Sequence, residues 1–467
     1  MYKNNRLSQA ILAATLVVPA ISFAGGFALN EQSASAMGTA NAGTAANPEN
    51  ATTVYFNPAG MSQLSGTNMS FGASVLDISA EAKSETASAT DTVGAPVQGS
   101  NGGDLVPVAV LPNFFMTHEV NDTVDIGFGL HAPYGLTADY DDDFVGRYFA
   151  DKTELMAIAL SPSIALNNGD GFSLGFGVNI MYAEGRLSKF QDYSANEAQA
   201  RQLGYAGPGF QDGYVDIKGD DVGVTFTAGF LWEVTDSTQI GVSGQTGTRL
   251  ELEGDATLTN VPQPTVTSTG LDFDFATLKE DVMVPIEIPE SITFGVRHQL
   301  TDSVTLLAGA TWAKWSRFEA LDVVSEEENG SISALGGPKY GQDDLVGHVS
   351  ENWEDTWQAN VGAIWQATPA WAFKAGYAFD QSPVNSDFRT ARIPSTDRHW
   401  LTLGTQYANL SSGWTVDVAA GMLLFDDVDV NEQEYTVDDQ PAAGNASYSA
   451  TYEVDSWGGA VQISKAF

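Results

Sequence analysis

The feature that most constrains this chain is a long period-two alternation. Phe172, Leu174, Phe176, Val178, Ile180 and Tyr182 are apolar, while Gly171, Ser173, Gly175, Gly177 and Asn179 between them are small or polar. A helix of 3.6 residues per turn cannot hold such a set on one face, whereas a strand does so automatically. Val124, Ile126, Phe128 and Leu130 repeat the pattern against Asp125, Gly127, Gly129 and His131. Trp414, Val416, Val418, Ala420 and Met422 repeat it against Thr415, Asp417, Ala419 and Gly421. Sandwich strands usually run about five or six residues. The runs here extend to roughly ten or more, the length a tilted strand needs to cross a bilayer.

The connections between runs fall into two classes. Short turns occur at Asn121–Asp122, Asn167–Gly171, Thr235–Ser237, Thr301–Ser303, Thr368–Pro369 and Asn409–Gly413. Long polar stretches lie near 81–106, 136–152, 191–213, 260–278, 319–351, 384–395 and 426–450. The two classes alternate, and their count predicts an all-β, 14-stranded antiparallel transmembrane β-barrel with both chain ends on the short-turn side. Val461 and Ile463 alternate back from a terminal Phe467, as in a closing strand, although Lys465 interrupts the pattern.

Composition excludes several classes of function. With 59 acidic and 20 basic side chains the net charge is −39, which repels nucleic acid. The absence of cysteine removes disulfides, thiol nucleophiles and cysteine-held metals. An apolar fraction of 43% is low for a helical membrane protein and suits a barrel. The acidic clusters at Asp139–Asp143, Glu326–Glu328 and Asp426–Asp429 lie in the long stretches. The first fails as a calcium loop, because Phe144 and Ala150 stand where glycine and glutamate are needed. Solvated loops are expected, with a loose divalent-ion link to neighbouring lipopolysaccharide left open. No metal site and no cofactor are expected.

The first 24 residues have the three parts of a secretory signal peptide. Lys3 and Arg6 are the basic start, Ala10 to Val18 the apolar stretch, and Ser22 and Ala24 the small residues before a cut at Gly25. Residues 25–66 follow, rich in small side chains, and residues 67–467 form the barrel. Within 25–66, Val54-Tyr55-Phe56-Asn57-Pro58-Ala59-Gly60-Met61 is too apolar for a linker and turns at Asn-Pro. Such a chain end suits a plug folded back into the lumen.

Four ordered sets of residues resemble the outer-membrane long-chain fatty acid transporter family, which includes aromatic hydrocarbon transporters. They are Gly26-Phe27-Ala28-Leu29-Asn30 through Asn57-Pro58-Ala59-Gly60; Ala132-Pro133-Tyr134-Gly135-Leu136 with Gly146-Arg147-Tyr148; Trp315-Ser316-Arg317-Phe318; and Asp380-Gln381-Ser382-Pro383-Val384 through Asp397-Arg398-His399-Trp400. The resemblance implies a fourteen-stranded barrel whose lumen holds an N-terminal hatch, with Asn57, Pro58 and Ala59 as the hatch motif. It also implies a kinked third strand that opens the wall sideways. His131, Pro133 and Gly135, residues that interrupt a ladder, lie near that strand's outer end. A member of the family is a bacterial outer-membrane protein delivered by the barrel-assembly machinery, surrounded by lipid and lipopolysaccharide. A monomer is expected.

Passive uptake of long-chain fatty acids is the leading expectation, with lateral release through the third strand. Uptake of neutral or aromatic hydrocarbons by the same route is the alternative. A methylene costs about 0.8 kcal/mol to hydrate, so either ligand needs a dry path. A carboxylate also needs a cation, and Arg186, Lys189 and Arg317 near the outer strand ends are the candidates. Phe27, the apolar head of the hatch, is expected against the ligand. The family's fatty acid carriers place a basic residue after a leucine beyond the Trp-Ser segment, whereas here Asp322 follows Leu321. No nucleophile motif surrounds His131 or His399, so an enzyme is not expected.

Overall fold

The computed structural model describes residues 25–467 except Thr269. The expected signal peptide, residues 1–24, lies outside the described residues. The strands close into a 14-stranded antiparallel barrel. β1 is Thr67–Ala82, β2 Ala109–Asn121 and β3 Val124–Asp139. β4 has two segments, Lys152–Leu160 and Ser163–Asn167; β5 is Phe172–Gln191 and β6 Gly213–Thr235. β7 is split into Thr238–Gln245 and Thr248–Thr267, and β8 into Gly270–Ile288 and Ser291–Thr301. β9 is Val304–Ala313, β10 Thr356–Thr368 and β11 Trp371–Asp380. β12 is Arg398–Asn409, β13 Trp414–Phe425 and β14 Ser447–Ala466. Closure comes from β1 on β14, with Asn68 opposite Ala466 and Val75 opposite Gly459.

The alternation sets the two faces of the wall. Phe176, Val224, Phe226, Leu403 and Val461 point outward and are exposed, as a bilayer-facing surface requires. Trp232, Trp365, Trp371, Tyr407 and Trp414 are exposed near the short turns, the position of an interfacial aromatic girdle. Lys465 sits within it, with its ammonium 5.5 Å from the Trp414 ring and 5.2 Å from the Phe467 ring. A cation over aromatic faces at the interface is stabilised there, which explains why it interrupts the closing strand without harm.

One expectation is corrected. Residues 260–278 are not a loop, because β7 and β8 continue as one long hairpin that pairs Pro262 with Phe275 and Pro264 with Phe273. β6 leaves β7 at Val215 opposite Leu258, so beyond that point β7 has a free edge. Proline is tolerated on such an edge, where no ladder partner needs its missing N–H.

Residues 25–66 run through the lumen and touch the inner face of the wall on many sides. A Cβ at Gly241 on β7 would overlap the Ala45 carbonyl, and one at Gly175 on β5 would overlap the backbone at Ala59. Only glycine admits backbone this close. Buried Asn57 donates from Nδ2 to Ala45 O at 2.6 Å and to Phe230 O on β6 at 2.9 Å, and accepts the Ala59 N–H. Pro58 opens the short 3-10 helix Pro58–Gln63 directly after it. On the opposite wall the Lys374 ammonium reaches Glu49 Oε2 at 2.6 Å and Ser35 O at 3.0 Å.

Candidate functional site

An apolar pocket lies beneath the outer loops. Its wall is the inward face of the upper strands, including Leu155 of β4, Ile217 of β6, Leu252 of β7 and Ile286 of β8. Phe318 and Leu321, from the segment after β9, close one side. Phe27 forms the floor and is 2% exposed. Its ring packs edge-on against Trp315 at 4.7 Å, and against Tyr134 and Phe318 at 6.0 Å each, with Trp353 at 5.8 Å. Four aromatic neighbours order the ring.

A second cavity lies below that floor. It is lined by Thr227, Gln245, Thr293, Gln358 and Asn360 from the wall and by Asn30, Asn41 and Tyr55 from the lumen segment. The aromatic cluster separates an apolar chamber from a polar one.

The three cations singled out in the sequence lie apart and each has an acidic partner. Arg186 lines the apolar pocket but pairs with Asp216 at 2.8 Å. Lys189 lies in a separate loop cavity, 3.5 Å from Glu434. Arg317 binds Glu287 at 2.9 Å and Glu290 at 2.7 Å and lines neither chamber. Asp322 turns from the pocket to His348, 2.6 Å away, which in turn contacts Ser350 and braces a loop hairpin.

Sequence reasoning passed over Arg392. It lines the apolar pocket and is 4% exposed. Its guanidinium donates to Lys152 O at 3.1 Å, Thr153 Oγ1 at 3.0 Å and Ser188 O at 2.9 Å, all neutral oxygens, and among the described residues it forms no ion pair. Burial works against its charge, and the nearby Glu432, Asp151 and Glu351 offset this incompletely. Burial itself raises the Glu351 carboxyl to about 8 and the Glu432 carboxyl to about 7. The available signal was local: a charged residue between Ala391 and Ile393, in a stretch already matched to the family at Ile393-Pro394.

The third strand is distorted where its sequence suggested. Against β4 the register slips between His131 and Tyr134, leaving Ala132 and Pro133 opposite Ile158. Against β2 the ladder stops at Phe114 opposite Leu130, and β3 above Leu130 has no ladder pairing with β2. The freed groups turn to the lumen segment. Pro133 O accepts the Leu29 N–H, Ala132 O accepts from Gln32 Nε2, and the Gly135 N–H donates to Phe27 O. His131 is 3% exposed and contacts Ser161 Oγ at 3.0 Å.

Comparisons with known proteins agree with this architecture. The family model described as "Outer membrane protein transport protein (OMPP1/FadL/TodX)" matches residues 15–467. A putative outer membrane protein of Neisseria meningitidis is 29% identical over 94% of both chains. A long-chain fatty acid transport protein of Escherichia coli is 24% identical over 96% of both. Among solved structures, a Pseudomonas aeruginosa FadL homologue superposes with TM-score 0.79 at 23% identity, covering 95% of this chain and 100% of the other. The Pseudomonas putida toluene transporter TodX gives 0.64 at 17%, covering 94% and 99%.

Proposed function

We infer the function from one premise: the chain belongs to the outer membrane transport protein family (OMPP1/FadL/TodX). It is a bacterial outer-membrane β-barrel transporter of hydrophobic compounds and not an enzyme. Within that class we propose passive uptake of long-chain fatty acids. Arg392 carries the assignment, as a buried cation on an apolar pocket whose contacts are neutral oxygens. A neutral hydrocarbon has no use for such a group, whereas a carboxylate gains a charge-assisted hydrogen bond. The fatty acid transport protein among the relatives supports the same reading.

The acyl chain lies along Leu155, Ile217 and Leu252 with its end on Phe27. Residues 25–66 act as the hatch, tied to the wall through Asn57, Pro58 and Ala59. Release is sideways through β3, at His131, Pro133 and Gly135. Supporting this, the β2–β3 ladder is absent above Leu130 and the bulge carbonyls are held by the hatch and not by the wall.

The test replaces the cation. Arg392→Gln should weaken long-chain fatty acid binding by about 1.5–3 kcal/mol, tenfold or more. Calorimetry in detergent with an alkane of equal length should show almost no change. Equal loss for both ligands would make neutral or aromatic hydrocarbons the substrate, a reading that the aromatic floor of Phe27 and Phe318 favours.

A further inference from the structure

The β2–β3 seam is not the one place where the wall lacks a ladder. β6 pairs with β7 from Thr227 opposite Gln245 down to the short turn, and again from Asp220 opposite Glu253 upward. Between these stretches, over 221–226 on β6 and 246–252 on β7, no ladder pairing is present. Both strands are held on their other edges: β6 stays paired with β5 throughout, and β7 with β8 from Thr248 onward. Phe226 and Thr246 tie the lower end, through the Thr246 N–H to Phe226 O at 2.9 Å and the Phe226 N–H to Thr246 Oγ1 at 3.0 Å. The Glu251 N–H to Asp221 Oδ2, 2.8 Å, ties the upper end.

What fills the seam is a side chain. Leu250 is fully buried, and a Cβ at Gly223 would lie 2.5 Å from Leu250 Cδ2 and 3.6 Å from its Cγ. On the inner side, Leu252, Gly219 and Ile217 of the same two strands line the apolar pocket. On the outer side, Val222 and Val224 are 57% and 40% exposed, so the seam faces hydrocarbon. Directly below it an apolar groove crosses the outer surface over Phe176, Phe226, Thr246, Ile292 and Trp312. Pocket, seam and groove therefore form one apolar line, closed by a leucine where the backbone offers no ladder.

We propose that the β6–β7 seam is a second lateral window, gated by Leu250, through which an acyl-chain ligand passes between the pocket and the bilayer. Parting it breaks no ladder bonds, because the β5–β6 and β7–β8 pairings are untouched. The window rests on the transport function inferred above and adds a route to it.

Since the chain has no cysteine, Gly223→Cys with Leu250→Cys introduces the sole thiol pair, and the leucine atoms that would obstruct a side chain at 223 are removed with it. Oleate uptake into proteoliposomes is measured for parent, oxidised and reduced protein. Oxidation should lower uptake about threefold or more and reduction should restore it, since a disulfide fixes the two β-carbons about 4 Å apart. Equal uptake in the two states overturns the window. Loss of uptake in the parent would instead sink the transport reading. If the cysteine pair does not fold, Leu250→Ala decides: a folded barrel, judged by heat-modifiable mobility, should take up oleate faster than the parent. An unchanged or slower rate overturns the window as well.

Discussion

The two chambers on either side of Phe27 are made from the same wall yet have opposite chemistry. Above the aromatic cluster the inward positions of β6 to β8 are Ile217, Leu252, Val284 and Ile286. Below it the same strands present Thr227, Ser243, Gln245, Ser291 and Thr293. The difference bears on the route proposed for an oily molecule. An alkyl chain in the upper chamber would lose about 0.8 kcal/mol per methylene on moving down into a wet one. Descent through the lumen is thus opposed, which supports the sideways route proposed above. The polar groups below serve a different end, because they hydrogen-bond the lumen segment and one another. Gln245 Nε2, for example, donates to Tyr134 Oη at 3.0 Å and links β7 to the distorted third strand.

Removing the boundary altogether should have the largest effect. Deletion of residues 25–61 takes away Phe27 and the contacts along β5 to β12, joining the chambers into one lumen. Planar-bilayer conductance should rise from a closed barrel to an open pore. A folded deletion variant that conducts no better than the parent would show that loops, and not this segment, seal the barrel.

Phe27→Ala is a smaller breach in the same place. Truncating a buried phenylalanine costs about 3–5 kcal/mol in a packed core, although a lumen segment anchored by Asn57 and Lys374 can keep its course. The polar cavity then opens into the pocket and water reaches the ligand. Affinity for fatty acid and alkane should fall together, by roughly tenfold for two newly wetted methylenes. Parent-like affinity for both would separate Phe27 from the ligand.

The smallest effect is one of pH and sharpens the contrast within the upper chamber. Glu351 at about 8 and Glu432 at about 7 are largely neutral in mildly acid solution, because burial disfavours their charge. A free fatty acid, with a carboxyl near 4–5, is already ionised there and meets Arg392 while both glutamates are neutral. As pH rises through 7 to 8 the two glutamates ionise and compete for that cation. Fatty acid affinity should fall a few-fold between pH 6 and 9, while alkane affinity stays flat. The stability of the loop cap has the same sign: for a carboxyl raised on folding it is full below the unfolded value near 4.5 and is lost as pH rises through the folded one. Glu351→Gln should flatten both slopes, and a parent-like slope in that variant would remove Glu351 from the account.

The strand count and the positions of all six short turns were legible in the sequence, since side-chain period and turn chemistry are local properties. The hairpin at 260–278 was not, because its prolines suggest a loop until the free edge of β7 is known. The distorted third strand was signalled by Pro133. The gap between β6 and β7 was not, because Val222 to Phe226 keep their alternation unbroken and only the neighbour is missing. The cations show the limit most plainly. Arg186, Lys189, Arg317 and Arg392 are all cations in the sequence, and what distinguishes them is which have carboxylates within reach. Period and turns are fixed by residues next to one another in the chain, so the sequence alone determined a fourteen-stranded barrel. Which cation meets neutral oxygens in an apolar pocket depends on residues more than a hundred positions apart meeting across the lumen, and only the closed barrel decided that.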